Sequence, residues 1–309
     1  MPSSQEIKER IIELKKEKNA VILAHNYQIP DIQDVADFLG DSLALAMKAQ
    51  EVDAEIIVFC GVDFMAETAA ILNPDKKVII PDAGAKCPLA GMVDAEGLKK
   101  LKEEHPDAAV VSYVNTTAEI KALSDYCCTS ANAVEVVESV PNRKVIFTPD
   151  RNLGSYVKRF VKDKEIILWP GFCSTHDRLT VEDFMKIKKE HPEAEILAHP
   201  ECRPEVIDIA DHVFSTEGMV KYVKKSSNKE FIIGTEKDMA YRLKKEAPDK
   251  VFYTIEKAVC PTMKKITLEN LLKALETLSP VVKVPEDIAE KALIPIKRML
   301  EIGRGNKTG

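Results

Sequence analysis

The sequence predicts an α/β protein made of three similar three-layer αβα domains, each with a parallel sheet, around a pseudo-threefold axis. Three observations lead there. Short apolar runs alternate with amphipathic stretches along the whole chain, the pattern of βαβ units. Polar residues at the ends of those runs recur three times at steps of 86 to 88 residues. Three cysteines, Cys87, Cys173 and Cys260, keep the same step, 86 and then 87 residues.

The elements follow in order. Gln5 to Lys18 places Ile7, Ile11 and Leu14 on one helical face. Ala20 to Ala24 (AVILA) is a continuous apolar run, as a parallel strand covered on both faces requires. It ends in His25-Asn26-Tyr27. Pro30-Asp31 opens a helix expected to reach about Gln50, interrupted near Gly40-Asp41-Ser42. Glu55 to Phe59 reads as a strand, Asp63 to Leu72 as a helix and Val78 to Ile80 as a strand. The loop with Cys87 follows.

The second pass runs through a helix from Asp94 to Glu104, stopped at His105-Pro106. A strand from Ala109 to Ser112 ends in Tyr113-Val114-Asn115. Cys127-Cys128-Thr129-Ser130, a strand from Lys144 to Phe147, a strand from Ile166 to Leu168 and the Cys173 loop complete it. In the third pass Thr180 is the expected N-cap of a helix stopped at His191-Pro192. Glu195 to Ala198 then leads to His199-Pro200-Glu201. Val206 to His212 precedes Ser215-Thr216, and strands at Glu230 to Ile233 and Val251 to Thr254 precede the Cys260 loop. Beyond Thr267, LENLLKALETL repeats the first helix, and Glu286 to Ile302 forms another, with a frayed tail expected over 303–309. The expected domains are 1–105, 106–191 and 192–309, the last with C-terminal helices packing back on the first.

The register holds for His25, Tyr113 and His199; for Tyr27, Asn115 and Glu201; for Ser42, Ser130 and Thr216; and for Asp63, Asp150 and Glu236. Ligands of open parallel sheets bind beyond the carboxyl ends of the strands. If three units face one axis, these residues and the three cysteines converge on one pocket. Three thiolates with no local CxxC pair leave two metal readings open, a zinc with one free position or an iron–sulfur cluster. Cys60, Cys127, Cys128 and Cys202 fall outside the register and read as packed thiols. His105 and His191 read as helix C-terminal residues. Ser42, Ser130 and Thr216 sit near helix starts, where they either cap the helix or help hold an anion.

Bulk properties narrow the function class. A length of 309 residues exceeds what one core usually serves. A net charge of −6 argues against a general nucleic-acid or anionic-membrane binder. No apolar run reaches the ~18 residues of a membrane span, and MPSSQEIKER has no signal-peptide core. Seven cysteines, an odd number, suit reduced cytoplasmic thiols better than disulfides.

The segments AHNYQIPDIQDVADFLGDSLALA, GVDFMAE, TSANAVEVV, PDRNLG, AHPEC and PTMKK, in this order between about Lys18 and Met299, resemble the quinolinate synthase family. The resemblance implies a [4Fe–4S] cluster held by Cys87, Cys173 and Cys260, with one iron left open. It implies condensation of iminoaspartate with dihydroxyacetone phosphate to quinolinate, phosphate and water, in de novo NAD synthesis in the cytoplasm. A second enzyme supplying iminoaspartate is the implied transient partner, and no nucleic acid or membrane is involved. By motif, Tyr27, Tyr113, Glu201 and His199 are the implied catalytic residues. His25, Ser42, Tyr113, Asn115, Ser130, His199, Glu201 and Thr216 are the implied substrate contacts. Some relatives carry a CxxCxxC run at the last ligand. Here Cys260-Pro261-Thr262-Met263 offers no local disulfide. Two other readings stand beside the synthase, a three-cysteine iron–sulfur hydro-lyase and a non-catalytic metal sensor.

Overall fold

Ala20–His25 forms β1, with five of its six residues buried, and Ile56–Cys60 forms β3, buried throughout. A strand with no solvent face must be covered on both sides, and the chain supplies a helix layer for each. The computed structural model describes residues 2–305. Its first unit comprises α1 (Ser4–Glu17), β1, α2 (Pro30–Val35), β2 (Phe38–Gly40), α3 (Ser42–Glu51), β3, α4 (Asp63–Leu72) and β4 (Lys77–Ile79). The second has α5 (Ala95–Glu104), β5 (Ala109–Tyr113), α6 (Ala118–Ala122), β6 (Tyr126–Cys128), α7 (Ala133–Ser139), β7 (Lys144–Thr148), α8 (Arg151–Val157) and β8 (Glu165–Leu168). After the short α9 (Ser174–Asp177), the third has α10 (Val181–Glu190), β9 (Glu195–Ala198), α11 (Pro204–Ile209), β10 (His212–Val213), α12 (Thr216–Lys225), β11 (Glu230–Gly234), α13 (Met239–Glu246) and β12 (Val251–Thr254). The helices α14 (Leu268–Thr277) and α15 (Glu286–Gly305) close the chain.

Each unit holds a four-stranded parallel sheet in one order: β2-β1-β3-β4, β6-β5-β7-β8 and β10-β9-β11-β12. The α/β class with three similar parallel units is the one the sequence predicts. The edge strands β2, β6 and β10 were not expected, because two or three residues carry no period-2 signal. The helix expected from Pro30 to about Gln50 is therefore two helices separated by β2. A repeated contact fixes each edge. Asp37, Asp125 and Asp211 stand just before these strands, and their carboxylates accept the backbone N–H of Ile22, Val110 and Ile196 at 2.8, 2.8 and 2.7 Å. Their own N–H groups donate back to the carbonyls of the same three residues. Each aspartate pins a short strand to its neighbour at two points.

Helix ends follow the local chemistry. Ser3, Thr180 and Thr267 form capping boxes with Glu6, Asp183 and Asn270. His105 and His191 are C-cap residues, as the sequence suggests. α14 packs on α1, and residues 280–282 run antiparallel beside β4, with Val282 N–H donating to Val78 O at 2.8 Å. α15 lies along α6 and β6 of the second unit and α4 of the first. It continues to Gly305, so the tail expected from 303 is helical at its start; residues 306–309 lie outside the described residues.

Gly171 shows how tightly one cysteine loop is seated. A Cβ there would meet the Pro149 carbonyl oxygen at 2.4 Å and Met92 Cβ at 3.2 Å. Gly171→Ala is expected to destabilise the protein by about 1–3 kcal/mol, read as a lower thermal unfolding midpoint.

Candidate active site

The site is assembled from strand ends. β1 ends at His25, β5 ends at Tyr113, and His199 directly follows β9. Two residues further on in each unit stand Tyr27, Asn115 and Glu201. Ser42 and Thr216 are the first residues of α3 and α12. They are not the caps: Asp41 accepts Ala44 N–H at 2.9 Å, and Ser215 accepts Gly218 N–H at 3.2 Å. Their hydroxyls are thereby released from capping, and Thr216 Oγ1 accepts a bond from Asn26 Nδ2 at 2.9 Å. Ser130 lies in the turn between β6 and α7. The cysteine loops follow β4, β8 and β12.

All twelve of these candidate residues line one cavity with about 590 Å³ of space between its walls. The cavity also takes in Asp41, Thr175, His176, Thr262 and Met263, with Val62, Phe64 and Met65 as an apolar flank. Cys87, Cys173 and Cys260 are partly exposed to it, whereas Cys60, Cys127, Cys128 and Cys202 are buried. Burial pushes the Cys127 thiol up to about 12, which makes it an inert packed group.

At the centre is a carboxylate between two imidazoles. Glu201 Oε2 is 3.1 Å from His176 Nδ1 and 3.2 Å from His199 Nδ1. The two rings stack at 4.6 Å. Burial acts to raise the Glu201 pKa, but the facing imidazoles outweigh it and hold the carboxylate below its ordinary range. His176 Nδ1 is also 3.1 Å from Cys173 Sγ, and its Nε2 is 2.8 Å from Thr235 Oγ1. Thr235 Oγ1 in turn lies 2.5 Å from the Tyr27 hydroxyl. His199 Nε2 reaches Ser130 Oγ at 3.2 Å. A continuous polar chain thus runs from Tyr27 through Thr235, His176, Glu201 and His199 to Ser130.

Three buried acceptors of cavity-lining residues, Asp41 Oδ2, Glu201 Oε1 and Asn115 Oδ1, have no hydrogen-bond partner among the described residues. Buried polar atoms are ordinarily satisfied, so these three are poised for a ligand. Burial, followed by the Glu201 charge, raises Tyr27 and Tyr113 well above the usual phenol range, so both keep their protons. His176 and Thr235 escaped sequence reasoning. His176 stands three residues after Cys173, within CSTH, but matches no polar residue in the other two units. Thr235 precedes the in-register Glu236, a weak signal without the fold.

A model of the family described as "Quinolinate synthetase A protein" matches residues 9–301. The chain belongs to the quinolinate synthetase A family. It is 57% identical to the quinolinate synthase of Thermodesulfovibrio yellowstonii over 295 residues, 95% of this chain and 97% of that protein. It is 55% identical to that of Pelobacter propionicus over 299 residues, 96% and 98% of the two chains. It is also 55% identical to quinolinate synthase 1 of Methanosarcina acetivorans over 294 residues, 95% and 96% of the two. As a member of the quinolinate synthetase A family the chain is an enzyme of NAD biosynthesis. No described helix is long and apolar enough to cross a membrane.

The site's electrostatics in this quinolinate synthetase A family member set a pH dependence. Burial, then the neighbouring His199, lowers the His25 pKa to about 3, and burial lowers His199 as well. Unfolding exposes both to water, where they take up protons near the ordinary value of about 6.5. The unfolded chain therefore binds more protons than the folded one below that pH, and stability falls as pH drops from about 6.5 toward 3. His25→Asn should flatten this slope, measured as unfolding free energy against pH in the acid range.

Proposed function

We propose that this enzyme condenses iminoaspartate with dihydroxyacetone phosphate to quinolinate, phosphate and water, at a [4Fe–4S] cluster held by Cys87, Cys173 and Cys260. The observation that carries this reading is the meeting, in one cavity, of one partly exposed cysteine from each of three like units. The donor set suits the cluster. Three partly exposed cysteines from three separate units, none in a local CxxC pair, line one cavity, the kind of thiolate set such a cluster needs. Burial, then the Glu201 charge and the neighbouring thiols, pushes Cys173 well up, so this thiol gives up its proton only with a cation beside it. When bound through three thiolates, such a cluster offers one open iron as a Lewis acid toward a substrate oxygen.

The chain's own residues supply the rest. The Ser42, Ser130 and Thr216 hydroxyls bind the substrates' carboxylates and phosphate in place of a glycine-rich loop. His25 is neutral, and its Nδ1 accepts the Tyr27 N–H at 3.2 Å, so its proton sits on Nε2 as a donor for an anion. Asn115 and His199 complete the binding wall. Tyr27 and Tyr113, held protonated, carry protons to leaving oxygens. Glu201, kept ionised between His176 and His199, takes protons during imine formation and dehydration. A transient partner delivers iminoaspartate.

One observation favours a single-ion site instead: Cys173, His176 and Glu201 place their ligand atoms within 4.8 Å of one another. Product analysis tests the reaction. Protein purified without oxygen and given both substrates should form quinolinate, quantified chromatographically. A loaded chain that makes none, but dehydrates a hydroxy acid, would be a hydro-lyase.

A further inference from the structure

The three units share a contact that neither the family membership nor the proposed chemistry uses. Asp63, Asp150 and Glu236 occupy equivalent places, each at the start of the segment after the third strand of its sheet core. Each carboxylate accepts the backbone N–H of its unit's cavity cysteine. Cys87 N–H donates to Asp63 Oδ1 at 3.1 Å, Cys173 N–H to Asp150 Oδ2 at 3.0 Å and Cys260 N–H to Glu236 Oε1 at 3.5 Å. A second bond runs the other way. The carbonyl two residues before each cysteine accepts an N–H from the same segment: Ala85 O from Asp63, Gly171 O from Arg151 and Ala258 O from Lys237, at 2.9, 2.8 and 2.8 Å.

The carboxylates are themselves held. Asp150 is fully buried and also accepts the N–H groups of Asn152 and Leu153, at 2.8 and 2.9 Å. Glu236, equally buried, accepts Asp238 N–H at 2.8 Å and lies 2.8 Å from Lys264 Nζ. Asp63 also accepts Phe64 N–H at 2.9 Å. Backbone N–H groups of the same segment, and for Glu236 also Lys264, hold these acceptors, so their positions are set by the chain itself.

We infer that Asp63, Asp150 and Glu236 are positioning residues that fix the three cysteine loops before the metal group arrives, one two-point clasp per unit. The inference rests on the three-thiolate reading of the site. Each carboxylate binds the amide of the very residue whose sulfur faces the cavity, so it sets the direction of the Cα–Cβ bond. Groups that orient a metal's ligands govern how firmly the metal is kept. Loss of one such hydrogen bond should be felt as roughly a tenfold change.

The test uses the full chain loaded with iron and sulfide without oxygen, with release of iron to a chelator followed by absorbance. Asp63 is only partly buried, so Asp63→Ala is the gentlest removal of one clasp. It should release iron about tenfold faster than the parent, while Asp63→Asn, which keeps an oxygen acceptor, should stay close to the parent. Release from Asp63→Ala at the parental rate overturns the inference, as does equally fast release from both variants. A parent chain that takes up no iron would instead defeat the three-thiolate reading. A second measurement needs no variant. In the cluster-free parent, hydrogen exchange of peptides spanning Cys87, Cys173 and Cys260 should show the three amides protected. Exchange there as fast as in an open loop would show that no clasp exists before loading.

Discussion

Replacing Cys87, Cys173 or Cys260 by Ala, one at a time, should abolish stable iron binding and lower quinolinate formation by on the order of a thousandfold. The size follows from losing a Lewis acid worth several kcal/mol in the transition state. The effect should be equal at the three positions, because each unit contributes one partly exposed sulfur to one cavity. Cys127→Ala is the control. That thiol is buried in the core and lies off the cavity, so its variant should keep full iron content and lose only a modest amount of stability. Iron per chain by elemental analysis, read beside activity, checks the contrast. A Cys87→Ala chain with a full iron complement would remove Cys87 from the ligand set.

Glu201→Gln should lower turnover by about 10²–10⁴-fold, the usual scale for a lost general acid or base, with iron content unchanged. Gln matches the carboxylate in shape but takes no proton. It also withdraws the negative charge that faces His176 and His199 at 3.1 and 3.2 Å. Retained iron separates two accounts of this residue. If Glu201 were a ligand in the Cys173–His176–Glu201 group, the variant would lose metal together with activity. If it manages protons, metal stays and turnover falls.

Most of the cavity's polar lining was legible because the repeat register acts as an internal alignment. A lone histidine at a strand end is ambiguous, but His25, Tyr113 and His199 at one step are three readings of one position, and all three face the cavity. The register also singled out Asp63, Asp150 and Glu236 without revealing a role. Their partners are backbone amides 23 or 24 residues away, and a side chain bonded to backbone leaves no trace in the partner's residue type. His176 broke the register, since only the second unit places an imidazole after its cysteine, so repetition could not flag it. The edge strands were missed for another reason. At two or three residues they are too short for a hydrophobic period, and it is the paired bonds from Asp37, Asp125 and Asp211 that define them. The Pro30–Gln50 stretch shows the cost: its residues suit a helix on both sides of β2, and only the sheet separates them.

The central claim is that three units bring three thiolates together around one polynuclear iron centre. Metal and acid-labile sulfide analysis of protein purified and kept without oxygen addresses it most directly. The account predicts a brown protein with about four iron and four sulfide per chain. A colourless protein carrying one zinc per chain, and no sulfide, would contradict it.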